Sequence, residues 1–128
     1  MSRVKVETSD APRPAGAYSQ GIVAGGFLYT AGFGPQDPAT GQVAGDTIEA
    51  QTEQVMKNVA ATLAVHGLDF SHVVKATVHL ADLHRDFAGF NATYEKFLTA
   101  PYPVRTTVGS TLANILVEID VVAVIAEG

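Results

Sequence analysis

Only two stretches of this chain space their apolar residues for a helix. The other patterned stretches alternate as strands do, and that imbalance limits the fold more than any other feature. Ile48, Thr52, Val55, Met56, Val59, Ala60 and Leu63 recur at helical steps, and so do Phe87, Phe90, Tyr94, Phe97 and Leu98. Asp46, with Glu49 three residues on, reads as the N-cap of the first helix, and Gly67 as its stop after His66. The second helix is expected over about 86–98, ended by Pro101 and Pro103. Strands are expected at 3–7, 19–24, 27–31, 73–80, 104–110 and 116–126, with Gly25-Gly26 as a tight hairpin between the second and third. In the fourth, Val74, Ala76, Val78 and Leu80 are expected to share one side. Residues 32–45 are rich in Gly and Pro and read as a long loop, a kind of segment that often carries function.

Two helices can cover only one face of such a sheet. In the last strand Val117, Ile119, Val121, Ala123 and Ile125 form a wholly apolar side, expected to meet the helices. Glu118, Asp120, Val122 and Val124 form a mixed side. A half-covered sheet with a mixed open face points to a homo-oligomer, and a charged fraction of only 16% points the same way. At 128 residues the chain fits one domain, 1–128, of α+β class.

Several functions are disfavoured by what the sequence lacks. There is no cysteine, so disulfides, thiolate catalysis and thiolate-bound metals are excluded. No leader pattern and no membrane-length apolar run is present, and the expected location is the cytoplasm, away from membranes. A net charge of −5, with eight scattered Lys and Arg, argues against a nucleic-acid partner. His66, His72, His79 and His84 show no metal-ligand spacing, so no metal is expected. Gly32-Phe33-Gly34 fits neither a phosphate loop nor a dinucleotide fingerprint, and no serine sits in a nucleophile elbow.

Four residues carry chemistry-bearing groups in suggestive places. Arg105 opens a strand after Pro103-Val104 and can clamp a carboxylate through two parallel hydrogen bonds, or form an ordinary surface or interface salt bridge. Glu118 lies among Leu116, Val117, Ile119 and Val121. If buried, its pKa should rise to a value useful in proton transfer; otherwise it is an edge residue or the structural partner of Arg105. Tyr18, in Gly16-Ala17-Tyr18-Ser19-Gln20-Gly21, is either a hydroxyl offered to a ligand or an aromatic plug. Asn91 interrupts the stripe of the second helix, and either orients a small polar molecule or faces solvent.

Five segments, in order, resemble the RidA/YjgF/UK114 family: GAYSQG at 16–21, FLYTAGFGPQDPATGQV at 27–43, FNATYEKFL at 90–98, PVRTTV at 103–108 and LVEIDVVAV at 116–124. The resemblance runs over nearly the whole chain, and its specificity lies in the order of the segments. It implies a chorismate-mutase-like α+β fold, a mixed six-stranded sheet with two helices on one face. It also implies a trimer whose sheets form a central barrel with three clefts between subunits. The implied activity is cofactor-independent hydrolysis of reactive enamines and imines, such as 2-aminoacrylate and 2-iminobutanoate, to 2-keto acids and ammonia. By position, Arg105 matches the arginine that binds the substrate carboxylate, and Glu118 the glutamate that positions or activates water. Tyr18 matches a pocket tyrosine and Asn91 an asparagine near the cleft. Thr107 and the backbone near Gly32 are expected to complete the lining. Ala31 and Phe33 stand where many members have Ser and Gln, Thr107 where several have Cys, and the segment 109–116 is slightly short. Phe33 is expected to narrow the cleft or favour an apolar substrate arm. A non-catalytic ligand-binding trimer and, more distantly, an endoribonuclease are the rival activities.

Overall fold

The computed structural model describes residues 2–125. The chain runs β1 (Val4–Val6), β2 (Gly21–Ala24), β3 (Phe27–Thr30), α1 (Ile48–Ala64), β4 (Val73–Leu80), α2 (Leu83–Glu95), β5 (Val104–Gly109) and β6 (Val117–Val124). A single 3₁₀ turn at Phe70–His72 leads into β4. The strands form one mixed sheet in the order β1-β2-β3-β6-β4-β5. Only β4 and β5 run parallel, and α2 makes the crossover between them. Elements fall where the pattern places them, with ends shifted by one or two residues in the strands. Ala126, expected in the last strand, lies outside the described residues.

β6 is the centre of the sheet. Val117, Ile119, Val121 and Ala123 are buried in one core with Val55, Val59 and Leu63 of α1 and Phe90 of α2. Glu118, Asp120 and Val122 are half-buried on the face that no helix covers. Phe27, Tyr29, Val104, Val108 and Val124 stand exposed on that same face, placed there by the strand registers. Gly25 and Gly26 have φ of +60° and +87°, which the two-residue turn between β2 and β3 requires and which glycine alone adopts without strain.

Three local expectations are corrected. The N-cap of α1 is Thr47, not Asp46: its extended backbone carries Oγ1 to the Ala50 N–H at 3.1 Å, one residue later than the capping-box spacing suggested. Its end is as expected, with Gly67 at φ +69° and the Leu68 N–H closing back on the Leu63 carbonyl. The second helix begins at Leu83, capped by Asp82, so Asp86 lies in its first turn, buried and clamped by Arg85 Nε and Nη2 at 3.0 and 2.9 Å. It ends at Glu95, and its inward face centres on Phe90 and Tyr94, leaving Phe87 42% exposed. In β4 a register shift between Val73 and Lys75 gives the inward place to Val73 and turns Val74 out to solvent. Ala76, Val78 and Leu80 stay inside.

Because Ile119 is fully buried in the core, paired with Val78 of β4 on one side and with Phe33 on the other, Ile119→Ala should cost roughly 2–5 kcal/mol. Urea unfolding monitored by circular dichroism measures that loss, and a change well under 1 kcal/mol would displace Ile119 from the core.

Candidate functional site

Arg105 sits on edge strand β5 opposite Ala76, so it points to the helix-covered side. There its guanidinium lies 5.0 Å from the Tyr94 ring centroid, 5.4 Å from Phe90 and 5.9 Å from Phe87. Nη1 donates to Asn91 Oδ1 at 2.8 Å. Among the described residues no carboxylate lies within ion-pair distance of it. The fork is therefore oriented by rings and an amide, with its remaining donors free for a planar anion. It opens on a cavity of about 330 Å³ lined by Asn91, Tyr94, Glu95, Leu98, Tyr102 and Pro103, with the Glu95 carboxylate outside ion-pair distance of the guanidinium. Burial pushes the Tyr94 hydroxyl above the usual tyrosine range, and the nearby Arg105 charge draws it partly back.

Glu118 serves a second cavity, of about 410 Å³, which also includes Arg13, Tyr18, Gly32, Phe33 and Ile115. A Cβ built on Gly32 would meet Glu118 Oε2 at 2.7 Å, so this position must be glycine for the carboxylate to lie where it does. Phe33 is only 4% exposed: it belongs to the core, bridges to Ile119 through the backbone, and forms part of the cavity wall. Tyr18 stands 53% exposed, its hydroxyl accepting from the Ala15 N–H at 3.0 Å and keeping its own proton to donate.

The loops of this second cavity are held by buried amides. From α1, Asn58 Nδ2 donates to the carbonyls of Gly34 and Gln36 at 3.0 and 2.9 Å. Gln51 accepts from the Leu116 N–H at 2.8 Å and donates to the Gly45 carbonyl at 3.1 Å. Gln20 binds the segment before the cavity in the same way. Gln20, Gln51 and Asn58 are absent from the sequence-based expectations; for Gln51 and Asn58 the one available signal was an amide inside an otherwise apolar helical stripe.

Arg105 and Glu118 are not brought together within one chain. They project from opposite faces of the sheet, line different cavities and form no ion pair with each other within one chain. Asn91 joins Arg105; Tyr18, Gly32 and Phe33 join Glu118. Thr107 lies opposite Val78, on the helix-facing side, and lines neither cavity. Glu118 is half-buried, not sealed. Among the described residues no group of three or more His, Asp or Glu is placed to hold a metal, and no helix is long and apolar enough to cross a membrane.

A family model described as endoribonuclease L-PSP matches residues 8–125. The chloroplastic Reactive Intermediate Deaminase A of Arabidopsis thaliana is 41% identical over 120 residues, covering 92% of this chain and 64% of its own length. A RutC family protein of Synechocystis is 42% identical, with 98% of each chain covered. The crystal structure of RidA from an Antarctic Psychrobacter superposes with a TM-score of 0.90 at 34% identity, covering 95% of this chain and 99% of that one. The chain belongs to the RidA/YjgF family. The two-helix, six-stranded fold expected from that likeness is the fold observed. For a RidA/YjgF protein, the separation of the two cavities within one chain is the feature that any account of function must address.

On the open face Asp120 stands beside β4, opposite Thr77. Burial pushes its carboxyl above the ordinary range, while His79 and Lys75 pull it partly back. The folded chain thus holds this proton more tightly than the unfolded chain does, and ionisation lowers stability as pH rises through the folded pKa. Asp120→Asn should raise Tm at about pH 7, and the gain should vanish below the ordinary aspartate pKa of about 4. Thermal unfolding across that range checks the sign, and a lowered Tm at neutral pH would reverse it.

Proposed function

We propose that this protein is a cofactor-independent imine hydrolase, converting 2-imino acids to 2-keto acids and ammonia. On this reading it works as a homotrimer, with Arg105 of one subunit facing Glu118 of the next across a shared cleft. The observation that carries the reading is the free fork of Arg105, pre-oriented by three aromatic rings and Asn91 with no acidic partner. Such a group suits a ligand carboxylate. The opposite facing of Arg105 and Glu118, and the apolar residues exposed on the open face, favour a site completed between subunits. The relative named Reactive Intermediate Deaminase A supports the choice of reaction.

The chemistry needs only groups the chain supplies. Arg105 holds the α-carboxylate and so fixes the imine carbon. Water attacks that carbon, Glu118 takes the water proton, the C=N π pair passes to nitrogen, and Glu118 returns its proton to that nitrogen to give the carbinolamine. Glu118, ionised again, then draws the hydroxyl proton as C=O forms and passes it to the leaving nitrogen as the C–N bond breaks, releasing ammonia. Tyr18 and the backbone at Gly32 line the reacting end, with Phe33 in the wall beside them. Thr107, on the same side of β5 as Arg105, would line the shared cleft beside it.

A coupled assay tests this: a serine or threonine dehydratase generates 2-aminoacrylate or 2-iminobutanoate, and keto-acid formation is followed. The protein should accelerate the hydrolysis, and Arg105→Ala and Glu118→Gln should each lower the effect by roughly a hundredfold or more while the fold survives. Mixing and refolding the two inactive variants together should restore roughly a quarter of the activity, because random trimers regenerate clefts with both residues intact. No recovery on mixing would place the site within one chain. Ligand binding without turnover would favour a binding trimer. RNA cleavage that depends on Glu118 or Arg105 would favour the description carried by the family model.

A further inference from the structure

Arg13 lines the same cavity as Tyr18, Gly32 and Glu118, and among the described residues it makes no ion pair. Its backbone is held far more firmly than an exposed loop arginine needs. Pro12 and Pro14 flank it; each proline fixes its own φ, and a residue before proline is confined to extended conformations. On one side the buried Gln20 carboxamide donates to the carbonyls of Thr8, Ala11 and Pro12 at 2.9, 3.1 and 2.9 Å and accepts from the Thr8 N–H at 2.7 Å. On the other the Ala15 N–H is taken by the Tyr18 hydroxyl. Much of the ordering that binding would otherwise require of this segment is already built in.

The other charged groups of the cavity are Glu118 and Asp37. Glu118 lies against Gly32. Asp37 is turned into its own loop, where Oδ1 accepts from the Ala39 N–H at 2.8 Å and its backbone closes on Gln42 and Gly41. The cavity lining thus includes one exposed arginine without an ion-pair partner, together with the carboxylate assigned to water.

The geometry points to Arg13 as a second anion subsite, one that receives a carboxylate on the substrate's side chain, so that the preferred substrate is a dicarboxylic 2-imino acid. The identity of the substrate rests on the hydrolase reading; the anion subsite does not. Arg105 takes the α-carboxylate, Arg13 takes the distal one, and the imine carbon lies between them near Glu118.

Keto acids separate the two questions because they bind as products and need no turnover. The assembled protein is titrated by calorimetry at low salt with 2-oxoglutarate and with 2-oxobutanoate, as wild type, Arg13→Ala and Arg13→Lys. Wild type should bind the dicarboxylic acid about tenfold or more tightly over the monocarboxylic one, a ratio that should fall to about one in Arg13→Ala and to an intermediate value in Arg13→Lys. No preference in wild type, binding of neither acid, or the same ratio in Arg13→Ala, overturns the subsite. An intact ratio with no hydrolysis of any imino acid would retire the hydrolase reading and leave the subsite standing.

Discussion

The pleat of β6 is the constraint on which the remainder of the molecule depends. Alternate residues of this central strand go to opposite faces: Val117, Ile119, Val121 and Ala123 into the helices, Glu118 and Asp120 to the uncovered side. A slip of one residue would bury two carboxylates and expose four core side chains, so the register is fixed by hydrophobic burial on one side alone. That burial also fixes chemistry. Glu118 must emerge on the side away from α2, whereas Arg105, two strands over and in register with inward-facing Ala76, must emerge beneath it. The distance between the two groups in one chain is a consequence of the sheet, not of a loop that can adjust.

Loops complete what the sheet begins, and α1 directs them. Its inward face carries not only Val55, Val59 and Leu63 but also the buried amides of Gln51 and Asn58. An unpaired buried amide is costly, so each of these positions demands backbone partners, and the partners lie in loops that otherwise have no regular structure. Asn58 gathers 34–36, and Gln51 ties residue 45 to residue 116. Packing of one helix against the sheet thereby sets the shape of a cavity on the far side of those loops.

This division explains what could be read from sequence. Element order and the two faces of β6 were legible because they rest on apolar periodicity, which burial enforces along the whole strand. The bulge that turns Val74 outward and the early start of α2 were not, since each is decided by a single local contact: a register shift against β6, and the reach of Asp82 to the Arg85 N–H. Among the candidate site residues, Arg105, Asn91, Glu118, Tyr18, Gly32 and Phe33 were found as residue types in place, and all reach a cavity. Their sorting into two cavities was hidden, because it requires knowing that β5 is the sheet edge beyond β4. Arg13 was hidden for a further reason: its firmness comes from Gln20, seven residues away, and a loop arginine between prolines has no periodic signature.

The environment of Arg105 is itself an argument about ligand charge. Three ring faces lower the cost of removing a guanidinium from water, but they supply much less than a carboxylate partner does, and Asn91 satisfies one donor only. A structural arginine in such a place would be more stable with an acid beside it, and Asp86 on the same helix is instead clamped by Arg85. Asp86 is thus taken by another partner, and Glu95, which shares the cavity, makes no ion pair with Arg105. The resulting cation is ordered yet uncompensated, and a planar anion arriving from outside the chain gains the whole of the interaction without first having to displace an internal one.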